Sequence, residues 1–265
     1  MSRLEGIFDA LRHARKPGLV TFTTAGDPDL DRSAEILRVL DQAGANVIEV
    51  GVPFSDPLAD GPVIQRASER ALRAGATLSR VIDMVAEVRP SITAGIVLFT
   101  YANPVFRIGL RPFLQRAAVA GVDGVLVLDL PIEEAGEFRM VSTKLAVDPI
   151  FLLSQTTTDD RIKRVAEFGR GFLYGISRLG VTGARDTLAE GAEALVARIR
   201  RVTSMPIALG FGISRPEQVA EVGRWADAAV VGSGLVDVIA RATPDALLTD
   251  VEQYVRWLRG DASKN

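Results

Sequence analysis

Cysteine is absent from the 265 residues, and histidine occurs once, as His13. The first absence excludes disulfides, thiol nucleophiles and thiolate metal sites. The second leaves too few imidazoles for a catalytic zinc centre, so no metal is expected. The lysines are Lys16, Lys144, Lys163 and Lys264. None falls at the C-terminal end of a predicted strand, where a Schiff-base lysine would have to stand. No run approaches the ~20 apolar residues of a membrane helix. The opening Met-Ser-Arg-Leu-Glu-Gly-Ile-Phe has no apolar stretch of signal-peptide length, so a cytoplasmic location is expected. A formal net charge of -2 lacks the basic excess of nucleic-acid binders. Hydrophobic residues make up 48% of the chain, ordinary for a globular protein able to bury a core without staples.

What is present is a rhythm. Short runs rich in β-branched residues predict strands near 18–24, 46–51, 94–100, 124–129, 149–153, 171–176, 206–210 and 228–232. They recur about every 25–30 residues, room for a strand, a helix and two loops. Helical periodicity marks 31–43, 80–88, 112–120, 133–146, 158–168, 190–202, 215–223 and 245–259. An N-terminal helix at 3–14 precedes the first strand and could plug the bottom of a barrel. Eight alternating units predict an α/β fold, a closed (β/α)8 or TIM barrel, with residues 1–265 as one domain. The open doubly wound alternative is weaker, because no Gly-x-Gly-x-x-Gly follows the first strand.

In such barrels the reacting groups stand at the C-terminal strand ends. Strand two runs into Asn46-Val-Ile-Glu-Val-Gly-Val-Pro-Phe-Ser-Asp-Pro-Leu-Ala-Asp-Gly-Pro62. Alternation puts Glu49 on the face opposite Ile48 and Val50, hence toward the barrel mouth. A hydrated Glu at a frayed strand end would look the same in sequence. Asp56 and Asp60 lie in a proline-stiffened loop, where either could equally be a turn or N-cap residue. The stretch Ser177-Arg-Leu-Gly-Val-Thr-Gly-Ala-Arg-Asp186 reads as a lid or an ordinary surface loop. Strands seven and eight end in Gly210-Phe-Gly-Ile-Ser214 and Gly232-Ser-Gly234, each entering a helix. Either motif could serve a tight turn, but together they suit an anion held by backbone amides. His13, alone on an amphipathic helix, reads as structural or solvated.

Gly51-Val-Pro-Phe-Ser-Asp-Pro-Leu-Ala-Asp-Gly-Pro62 resembles the signature of tryptophan synthase alpha subunits. The likeness continues through Thr100-Tyr-Ala-Asn-Pro104, Asp129-Leu-Pro131, Gly180-Val-Thr-Gly183 and Gly210-Phe-Gly-Ile213, over essentially the whole chain. It implies retro-aldol cleavage of indole-3-glycerol phosphate to indole and glyceraldehyde 3-phosphate, with Glu49 and Asp60 as the catalytic carboxylates. It places Phe22, Tyr101, Leu126 and Tyr174 around the indole ring and Thr182 on the lid, where it would order Asp60. Gly183, Gly210, Phe211, Gly212, Gly232 and Ser233 fall at the phosphate. It implies no cofactor in this chain, and a pyridoxal-phosphate beta subunit as partner in an alpha2beta2 heterotetramer. The contact surface is expected near Pro53–Asp60, Ala102–Pro104 and Leu130–Pro131. Two departures, Ser154-Gln155-Thr156-Thr157 and Gly175, are expected to alter packing near the pocket. Glu49 near apolar side chains should have a raised pKa; Asp60, on a hydrated loop, should stay ionised. Two other readings fit less well: a catalytically weak barrel that mainly activates a beta subunit, and a different phosphosugar barrel enzyme.

Overall fold

The computed structural model describes residues 1–176, 191–210 and 212–261. Eight parallel strands close into a barrel in chain order: β1 (Gly18–Thr24), β2 (Val47–Gly51), β3 (Gly95–Thr100), β4 (Gly124–Val127), β5 (Asp148–Ser154), β6 (Leu173–Ile176), β7 (Ile207–Gly210) and β8 (Ala228–Val231). The last strand pairs with the first, Val20 opposite Val230, so no edge remains. Before and between the strands run α1 (Arg3–Ala14), α2 (Leu30–Gln42), α3 (Pro62–Arg73), α4 (Leu78–Val88), α5 (Ala102–Ile108), α6 (Leu110–Val119), α7 (Gly136–Lys144), α8 (Asp159–Phe168), α9 (Ala192–Arg200) and α10 (Pro216–Val222). The last two, α11 (Ser233–Arg241) and α12 (Leu247–Leu258), follow β8. Among the described residues no helix is long and apolar enough to cross a membrane.

The period of two along each strand divides the core. Outward residues such as Leu19, Ile48, Val50, Ile96, Leu98 and Val125 pack under the helices. Inward ones, Val20, Val47, Val97, Leu126, Ile150, Phe172, Ala208 and Ala228, fill the barrel itself. The N-terminal helix closes the bottom, as expected of a helix that precedes the first strand. Leu4 and Phe8 of α1 are fully buried in that inner cluster, with Phe8 5.3 Å from Phe172, ring to ring. Glycine makes the plug possible: a Cβ at Gly95 would come 2.5 Å from Leu4 Cδ2, and one at Gly124 3.0 Å from Leu4 Cδ1. A capping box fixes the start of α1, Ser2 Oγ accepting from Glu5 N at 3.2 Å while Ser2 N donates to Glu5 Oε2 at 2.7 Å. Charge then locks the helix to the strand ends, through Arg3 on Asp123 at 3.0 Å and Arg12 on Asp227 at 2.7 Å.

Two boundaries differ from the periodic reading. The helix expected over 133–146 begins only at Gly136, because residues 132–135 turn first. The periodic reading marks no helix between 100 and 112, but α5 forms there, with Pro104 in its first turn, where a missing N–H costs nothing. Gly109 at φ +94° ends α5 and starts α6.

Candidate active site

Glu49 and Asp60 share one small cavity at the C-terminal end of the barrel. Its lining is Phe22, Glu49, Asp60, Ile64, Phe99, Tyr174, Gly212, Val230, Gly232 and Ser233, around a volume of about 60 Å³. That is below the roughly 300–1,000 Å³ of small-molecule sites. Phe22 and Phe99 meet edge to face at 5.4 Å across it.

Glu49 points inward. In register it lies between Phe22 of β1 and Val97 of β3, both inward-facing. It is 0% exposed, and neither carboxylate oxygen has a hydrogen-bond partner among the described residues. Burial pushes its pKa up to about 8, since no donor compensates for the lost hydration of the anion. Tyr174 enters the same cavity from β6. Its own pKa is raised, first by burial and then by the Glu49 charge.

Asp60 is not hydrated as expected. It is 8% exposed, and burial raises its pKa to about 6, with a hydrogen bond from Tyr101 pulling the other way. It is still mostly ionised at neutral pH. The loop before it wraps around Tyr101. Ala59 N donates to Tyr101 Oη at 3.2 Å, and the Phe54 ring lies 5.1 Å from the Tyr101 ring. Gln65 Nε2 of α3 holds the Asp60 carbonyl at 2.8 Å. Asp56 lies on the exposed part of the loop, where it accepts from Ser55 Oγ at 2.5 Å.

Gly212, Gly232 and Ser233 also border the cavity. Ser233 begins α11, whose N-cap is Gly232, so no side chain caps the amides of its first turn. Gly210 is required by a close approach: a Cβ there would stand 2.7 Å from Tyr174 Oη.

The sequence-derived set is thus gathered in part. Phe22, Glu49, Asp60, Tyr174, Gly212, Gly232 and Ser233 converge on the cavity. Tyr101 stands behind Asp60 and does not line the cavity, and Leu126 sits in the inner barrel cluster with Val97 and Ile150. Thr182, Gly183 and Phe211 lie outside the described residues. Ile64, Phe99 and Val230 were not anticipated. Strand parity from Val97 and Ala228 would have found Phe99 and Val230, whereas Ile64 depends on how α3 packs. Gly175 is no pocket residue. A Cβ there would meet Leu209 Cδ1 at 2.9 Å on the helix side of the sheet. Ser154, Thr156 and Thr157 line a separate cavity of about 360 Å³ beneath α8. His13 is exposed, its Nδ1 2.7 Å from the Asp9 carbonyl. Among the described residues no group of three or more His, Cys, Asp or Glu converges as a metal site would.

Comparison with known proteins agrees with this geometry. The family model for the tryptophan synthase alpha chain matches residues 8–260. The tryptophan synthase alpha chain of Geobacter sulfurreducens is 48% identical over 259 residues, 98% of each chain. That of Methylococcus capsulatus is 50% identical over 262 residues, again 98% of each. Among solved structures, Mycobacterium tuberculosis tryptophan synthase superposes with a TM-score of 0.91 at 34% identity, covering 100% of this chain and 99% of that one. The tryptophan synthase a2b2 complex of Pyrococcus furiosus gives 0.86 at 38% identity, over 92% and 98%. A closed barrel with two carboxylates in one cavity at its mouth, matched nearly end to end by these relatives, places the chain in the tryptophan synthase alpha chain family.

Proposed function

We propose that this lyase runs the alpha reaction of tryptophan biosynthesis, cleaving indole-3-glycerol phosphate to indole and glyceraldehyde 3-phosphate, by a metal-free retro-aldol route. The observation that carries the reading is Glu49: a buried carboxyl without a hydrogen-bond partner among the described residues, inside a cavity shared with a second carboxyl and bordered by the start of α11. With a pKa near 8 it is protonated at neutral pH and acts first as an acid, delivering its proton to indole C3. The ring nitrogen gains positive character, and ionised Asp60 accepts the hydrogen bond from its N–H. The Glu49 carboxylate then takes the proton from the adjacent side-chain hydroxyl. The carbon–carbon bond breaks as the aldehyde forms, and the bonding electrons return to the ring. Glu49 ends protonated, ready for another turn. The amides at the start of α11, with Gly212, hold the phosphate.

The proposed partner is a pyridoxal-phosphate beta subunit, in an alpha2beta2 assembly like that of the Pyrococcus furiosus relative. The expected contact surface supports it: Leu58 is 91% exposed, and Phe106, just beyond Ala102–Pro104, is 59% exposed. Both are costly to leave in water. The chain supplies no cofactor chemistry of its own in this scheme. Incubating it with indole-3-glycerol phosphate and measuring free indole tests the reading. Glu49→Gln should lower the rate by about 10²–10⁴ with the fold intact; an active variant would refute the assignment.

A further inference from the structure

We infer that Asp129, an exposed residue outside the cavity, is a positioning residue for Asp60, acting through the backbone of Tyr101–Ala102. The inference rests on the carboxylate roles proposed above.

The start of α5 lacks a cap of its own. The N-cap position normally carries Ser, Thr, Asn or Asp, whose oxygen accepts a helix-start amide. Here it is Tyr101, which makes no side-chain cap. Its hydroxyl is committed elsewhere, to Ala59 N at 3.2 Å and to the Asp60 carboxylate. The missing cap comes from another loop: Asp129 Oδ1 accepts from Ala102 N at 2.6 Å, the first helical amide. The contact is short for an N–H on an Asp side-chain oxygen. Asp129 is itself held in place, because Leu128 N donates to Thr100 O at 2.8 Å and carries the strand pairing one residue past β4.

The result is a chain of contacts between three βα loops. Asp129 fixes the amide next to Tyr101. The Tyr101 ring, clamped by Phe54, carries the loop over 53–60. Its hydroxyl sets Ala59 and Asp60. Freed from its cap, the Tyr101–Ala102 backbone relaxes and the hydroxyl loses its aim. The titratable groups facing Asp60 are Tyr101 beside it and, across the cavity, Glu49 from β2 and Tyr174 from β6. Asp129 stands behind Tyr101.

Steady-state indole release by the full chain, followed across pH, tests this. Asp129→Ala should lower kcat about tenfold while KM stays within about twofold, since one hydrogen bond to a charged group is being lost. The acid limb of the kcat profile should move to higher pH, because the Tyr101 bond favours ionised Asp60. Asp129→Asn keeps an accepting oxygen and should restore both the rate and the limb. Tyr101→Phe should move the limb as Asp129→Ala does, and adding Asp129→Ala to it should cost nothing further. Wild-type rate and an unmoved limb in Asp129→Ala would overturn the inference. So would equal losses in the Ala and Asn variants, or additive losses in the double variant. If the unaltered chain releases no indole, it is the proposed reaction that fails, and this inference with it.

Discussion

Replacing Glu49 by Gln should change how stability depends on pH as well as stop turnover. In the fold, the Glu49 carboxyl keeps its proton to about pH 8, against an ordinary value of 4.5. As pH rises between these values the unfolded chain releases this proton and the folded chain does not. Stability falls with slope 2.303RT per proton, about 1.4 kcal/mol per pH unit. The contribution is therefore fully present below pH 4.5 and lost as pH rises through 8. Integrated between pH 5 and pH 9, the loss is about 4 kcal/mol, nearly two thirds of it below pH 7. This is a ceiling, because water drawn into the cavity by the anion would reduce it. Gln cannot titrate. Other carboxylates titrate in both proteins and cancel in the difference, as does the fixed cost of burying an amide. Urea unfolding of the two chains at pH 5, 7 and 9 gives the quantity directly. The variant should gain on the wild type steadily with pH, by up to about 4 kcal/mol. A difference flat to within about 0.5 kcal/mol across that range would mean that Glu49 is not a buried, uncompensated acid.

The same two carboxyls should shape the rate. Asp60 must be ionised and Glu49 protonated, so kcat/KM should follow a bell falling below about pH 6 and above about pH 8; a single rising limb would reverse the assigned roles. Gly210→Ala puts a methyl 2.7 Å from Tyr174 Oη and should lower kcat/KM about 10- to 100-fold with little change in melting temperature, measured by indole release and circular dichroism. Phe8→Ala empties the plug beneath Phe172 and should cost about 3–5 kcal/mol in urea unfolding while leaving kcat near wild type. A variant as stable as the parent would show that the N-terminal helix does not seal the barrel.

Sequence alone carried the repeating strand–helix alternation, the inward parity of Glu49, and the plug at 3–14, because these depend on period and polarity within one short segment. The proline-rich loop and the two glycine motifs located the mouth of the barrel for the same reason. Tertiary structure decided what depends on distant segments meeting. Asp60 sits in a loop that sequence marks as polar, yet Tyr101, more than forty residues later, draws that loop inward and buries it. Leu126 shares the inward parity of the pocket residues and stands in register with Phe99, yet it packs with Val97 and Ile150, a neighbourhood that only the closed barrel assembles. Gly175, expected to alter packing near the pocket, faces the helices, where it makes room for Leu209. Local pattern fixes which way a side chain points; how deep it lies and what lies against it are settled only when the barrel closes.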